Sequence, residues 1–102
     1  MERVSVFKYN GSEVSFMTGD GVMVNATEMA KVFWRRPVDY LRLPSTNELI
    51  KAIVRKSHID ENQLVRTERG GLKPGTWMHE DVALDFAQKL PLNLAEGAIR
   101  YN

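Results

Sequence analysis

The sequence predicts an α+β fold, on three observations. Apolar residues alternate with period two up to Val24, the period switches to that of a helix at Asn25, and a glycine-rich hairpin pattern separates two later helical stretches. The expected architecture is an N-terminal β-meander, four to five helices and one further β-hairpin. With 102 residues, 43% of them hydrophobic, the chain can close one core, whereas two half-length domains would each be too small.

In the meander, Val4, Val6 (or Phe7) and Tyr9 precede Asn10-Gly11, then Val14 and Phe16 precede Asp20-Gly21, and a third strand ends in Val22, Met23 and Val24. Both dipeptides suit tight hairpins, because Asn and Asp tolerate positive φ and glycine has no Cβ to clash there. Asn25 is placed to cap a helix while Glu28 reaches back, and Ala26, Met29, Ala30 and Phe33 fall on one helical face, giving a first helix over 26 to 33.

Trp34-Arg35-Arg36 breaks that stripe. Pro37 suits the first turn of a second helix over 37 to 43, with Val38 and Leu41 facing inward and Pro44 stopping it. Ser45 and Glu48 have the capping-box spacing ahead of a third helix, 46 to 56, whose Leu49, Ile50, Ile53 and Val54 form an apolar stripe. A hairpin over 64 to 78 has the tip Arg69-Gly70-Gly71-Leu72-Lys73-Pro74-Gly75. A fourth helix, 80 to 90, then aligns Val82, Phe86 and Leu90. Asn93 and Glu96 could cap a fifth helix. Its abrupt end predicts that these residues form the N-terminal part of a longer parent protein.

Net charge is only +1, but its distribution is uneven. Lys31 to Lys73 contain ten basic and five acidic residues, a balance of +5 against −4 for the flanks. A domain polarised in this way suits nucleic acid, although solvated helices also carry charge of this kind. Enzyme chemistry has little support. There is no cysteine, His58 and His79 stand apart, and Glu80-Asp81 are the acids expected in a helix's first turn. No cofactor and no metal site is expected. The start of the chain lacks a signal pattern and no apolar run approaches membrane-spanning length, so a cytoplasmic protein without a membrane partner is expected.

Val24-Asn25-Ala26-Thr27, then Gly70-Gly71 with Gly75-Thr76-Trp77, then the helix containing Asp81 to Ala87, resemble the KilA-N family of bacteriophages and large DNA viruses. That family is similar to the fungal APSES transcription factors. Leu41-Arg42-Leu43 and Glu48-Leu49-Ile50 add to the resemblance, which runs from about Val22 to Leu90. It implies a winged helix-turn-helix-like fold that binds double-stranded DNA without catalysis and is often joined to a separate C-terminal domain. Here Leu72-Lys73-Pro74 stands where the fungal relatives carry polar wing-tip residues.

By charge and position, the resemblance places Arg35, Arg36 and Arg42 around the helix after the turn, and Arg69 and Lys73 on the wing. Lys31 and Arg66 complete the candidate DNA-binding set from the same basic middle. Arginine suits phosphate and guanine edges through its planar fork, and the start of a helix adds backbone N–H groups for an anion. The plainer alternative for Arg35-Arg36 is a solvated pair in a turn, and for Gly70-Gly71 it is turn geometry alone. Lys51, Arg55 and Lys56 lie late in a helix, where cations complement the dipole. Trp77 is expected in the core, while for Trp34 core packing and base stacking both stay open. A second function stays open as well: a protein-interaction module of a phage antirepressor that sequesters a repressor.

Overall fold

In the computed structural model, which describes residues 3–19, 21–70 and 74–90, Asn10 and Gly11 take φ values of 50 and 84. Positive φ at both positions is what a two-residue hairpin loop of matching twist requires. The loop joins β1 (Arg3–Tyr9) to β2 (Ser12–Thr18) in antiparallel register, with Phe7 opposite Val14 and Tyr9 opposite Ser12. Phe7 and Tyr9 therefore share the core-facing side, and Phe7 meets Phe16 at 5.7 Å between ring centroids. Val4 and Val6 lie on the other side and are exposed.

After β3 (Val22–Asn25) the chain enters α1 (Ala26–Lys31), α2 (Pro37–Leu41), α3 (Pro44–Ser57) and a single turn, α4 (Glu61–Leu64). The hairpin β4 (Val65–Glu68) and β5 (Gly75–His79) follows, and α5 (Glu80–Lys89) closes the described chain. The hairpin is not free-standing. β5 pairs with β3, so the strands among the described residues form one five-stranded antiparallel sheet in the order β1-β2-β3-β5-β4. Phe16, Val24, Met78 and Val65 are cross-strand neighbours on one face and belong to the core or pack against it.

The helical stripes pack largely as their spacing predicts. Ala26, Met29 and Ala30 of α1, Ile50 of α3, and Val82 and Phe86 of α5 are buried, as is Leu90 just beyond α5. α2 differs: Val38 is 38% exposed, while Pro37 and Tyr40 are buried. Tyr40 takes the inward position because its hydroxyl donates to Asp85 Oδ2 at 2.6 Å and its ring lies 4.8 Å from that of Phe86. Burial, and then the carboxylate beside it, push the Tyr40 hydroxyl well above the ordinary phenol range, so it stays a protonated donor. This contact fastens α2 to α5.

Pro44 does not separate two helices but is the first residue of α3, a position where a missing N–H costs nothing. The Ser45–Glu48 capping box accordingly does not form, and Ser45 Oγ instead accepts from Lys89 Nζ at 3.3 Å. The four-residue α4, too short to show a period in the sequence, has Gln63 Oε1 accepting from the Asp60 N–H at 3.1 Å. The expected fifth helix around Asn93 and Glu96 lies outside the described residues, as does Asp20 of the second turn.

Candidate nucleic-acid interface

Where β3 ends, α1 continues it and bonds to both strands that flank it. Asn25 Oδ1 accepts from the Glu28 N–H at 3.1 Å, the cap that the sequence predicts. Glu28 does not reach back to complete a box; its Oε1 accepts from the Ser15 N–H of β2 at 2.6 Å. On the opposite side, Thr27 Oγ1 accepts from the Thr76 N–H at 2.9 Å, and Asn25 Nδ2 donates to the Pro74 carbonyl at 3.3 Å. The Asn-Ala-Thr sequence therefore grips the loop end of the β4–β5 hairpin, where β5 begins. Gly75 makes the fit possible, with φ of 135 and no Cβ in a space where one would lie 3.0 Å from both Asn25 Oδ1 and Thr27 Oγ1.

At its other end α1 finishes in a tight turn. Trp34 N–H donates to the Lys31 carbonyl at 3.1 Å and Arg35 N–H donates to the Ala30 carbonyl at 3.0 Å, the paired bonds of a Schellman closure. The helix expected over 26 to 33 thus ends in shorter-range bonds through Val32 and Phe33. The turn brings Lys31, Arg35 and Arg36 together. Lys31 and Arg36 are exposed and Arg35 is half-buried, with Arg36 capping α2 and lying 3.5 Å from Asp39. Such an exposed ion pair holds weakly and leaves the guanidinium available to a stronger anion. At five residues α2 is too short to supply much of a helix dipole, so anion affinity here rests on side chains.

The remaining candidates are dispersed. Arg42 is exposed at the far end of α2. Arg69 is exposed just beyond β4, and Lys73 lies outside the described residues. Arg66 behaves differently: its Nε is 2.9 Å from Glu68 Oε2, and it lines a pocket of about 210 Å³ with Met17, Met23, Gln63 and His79, on the sheet face opposite Phe16 and Val24. Its guanidinium is drawn toward Glu68 within the hairpin. Lys51, Arg55 and Lys56 lie exposed on α3, the last two in its final turn. His79 caps α5, its Nδ1 accepting from the Asp81 N–H at 3.2 Å, which gives it a structural task.

Sequence reasoning missed Asn25 and Thr27 as the holders of the hairpin. Their motif is visible, but the partners lie 49 positions away. It also left Trp34 undecided. The structure places this residue at the apex of the basic turn, with 94% of its surface exposed.

Two short helices thus meet at a turn that carries cations, and the first of them is bonded to a hairpin of the same sheet. The chain belongs to the KilA-N domain family, which it matches over residues 7–91, and this is a family of DNA-binding domains. No curated protein and no solved structure gives a significant match to it. Among the described residues no helix is long and apolar enough to cross a membrane.

Proposed function

We propose that the domain binds double-stranded DNA with sequence selectivity, as the reading head of a cytoplasmic phage or prophage type regulator without catalytic activity or cofactor. In this reading α2 is the helix offered to the major groove and the β4–β5 hairpin is the wing, an arrangement similar to that of the APSES domains. Arg35 and Arg36, with Lys31 at the same turn and Arg42 at the far end of α2, approach the groove. Arg69 and Lys73 neutralise phosphates, and Arg66, already paired with Glu68, contributes least.

The observation that carries this reading is that α1 joins the two elements. Thr27 and Asn25 hold the loop end of the hairpin on one side, and Lys31, Arg35 and Arg36 stand at the other end of α1, about 9 Å along a six-residue helix. The two basic elements therefore cannot drift independently. A separation of this size is small beside the roughly 34 Å of one duplex turn, so both can engage one binding site.

Fluorescence anisotropy on a labelled random duplex is expected to show saturable binding that weakens steadily with salt, because each neutralised phosphate releases condensed counterions. The two elements separate by variant. Arg69→Ala with Lys73→Ala should weaken all sequences alike and reduce the salt slope by about one unit per lost contact. Arg36→Ala should cost about 1–3 kcal/mol on a site found by in vitro selection, and less on random DNA. Equal loss on both DNAs for Arg36→Ala, with discrimination lost in the hairpin variant, would reverse the two roles.

A second reading has one observation behind it. Among the described residues β1 is one of the two edge strands of the sheet, and its Val4 and Val6 are exposed on the face turned away from the core. An open edge beside apolar side chains suits a protein partner, such as a repressor or a C-terminal domain of the parent chain. Absence of DNA binding even at low salt would decide for it.

A further inference from the structure

Trp34 occupies the position of a Schellman turn that glycine normally fills, with φ of 57, in the left-handed region that side chains rarely adopt. Packing gives nothing back for this, since the residue is 94% exposed. The turn beneath it is nevertheless well anchored. On one side Phe33 packs against Tyr9 at 6.2 Å between ring centroids, and on the other Pro37 and Tyr40 are buried. The indole is thus held outward on a fixed base, between Lys31 and Arg35-Arg36.

We infer that Trp34 stacks its indole on a nucleobase of the bound DNA while the neighbouring cations hold the phosphates on either side. The inference rests on the DNA-binding reading above and adds to it an aromatic contact that tracks base faces rather than base edges. A flat, polarisable ring flanked by positive charge matches the chemistry of a nucleotide, with its π face and its anionic backbone. An aliphatic protein surface would have no use for the cations. The base can come from a duplex step opened by a wedge or from a single strand.

The left-handed backbone supplies an unusually clean test. Trp34→Gly removes the indole and places the favoured residue in the turn, so its melting temperature should equal or exceed that of the parent. Its affinity for DNA should nevertheless fall about 5- to 150-fold, the range of one base–aromatic stack. Trp34→Phe should recover part of the loss and Trp34→Leu should not, because leucine has bulk but no π face. Titrating each variant with a labelled duplex and with the corresponding single strand shows which DNA offers the base.

If the parent binds neither DNA, the DNA-binding reading falls and takes this inference with it. If the parent binds and Trp34→Gly binds equally well, the stacking role alone is overturned. Full recovery by leucine would overturn stacking in favour of an apolar wedge. A melting temperature at or above the parent's, with a loss of affinity that phenylalanine repairs in part and leucine does not, is the expected result.

Discussion

Trp77→Ala is expected to unfold the domain or to lower its melting temperature by tens of degrees. Trp77 is the largest of the fully buried side chains, 1% exposed, on the strand that joins the hairpin to the rest of the sheet. Its backbone sits between Asn25 of β3 and Arg66 of β4, so a collapse at this point disturbs both ladders at once. Truncating a buried aromatic to alanine costs about 3–5 kcal/mol, out of a total of about 5–15 kcal/mol for a domain. In a chain of 102 residues each kcal/mol moves the midpoint by about 4–8 °C. Thermal melts followed by circular dichroism measure the loss, and Trp34→Gly run alongside is the control, since it removes the exposed indole. A Trp77→Ala protein that melts with the parent would show that β5 does not depend on this side chain.

The sequence made local features legible and left long-range ones hidden. Asn10-Gly11 announces its hairpin because the turn's φ values are a property of those two residues. The stripes through Met29, Ile50 and Phe86 show because periodicity is local too. Tyr40 was not legible: Val38 and Leu41 satisfy the spacing rule equally well, and the choice is made by Asp85 and Phe86, which arrive 45 or more positions later. The single sheet was hidden for the same reason, since β3 and β5 meet across the whole helical segment. At the site, Pro37 was enough to put Arg35 and Arg36 at a helix start. Nothing local could show that Arg66 shares a pocket with Met17, Met23 and His79, which come from three other strands or their ends.

The grip of α1 on the hairpin leads to the other large expected effect, that of Gly75→Ala. At φ of 135 any side chain strains the backbone, which costs about 1–3 kcal/mol at such a position. The new Cβ would also lie 3.0 Å from Asn25 Oδ1, Thr27 Cβ and Thr27 Oγ1. These atoms have little room to yield, because Asn25 is fully buried and already bonded to Glu28 and Pro74, and Thr27 to Thr76. Relief requires the strand to move away from α1, lengthening the Thr76 and Pro74 bonds, each worth about 1 kcal/mol. The expected total is about 2–5 kcal/mol. Hydrogen exchange at the Thr76 amide should quicken well beyond the change in global stability. Asn25→Asp separates the two tasks of Asn25. Aspartate caps a helix as well as asparagine does, so the start of α1 should survive, but it has no N–H to donate to the Pro74 carbonyl and sets a negative charge against it. The Asp variant should therefore keep most of its helix while its hairpin loosens, and its DNA binding should lose the salt dependence proposed for Arg69 and Lys73 with little change in the share proposed for Arg36. If Gly75→Ala melts with the parent and leaves Thr76 exchange unchanged, the hairpin is positioned by its ladder to β3 alone and the contacts of Asn25 and Thr27 are incidental.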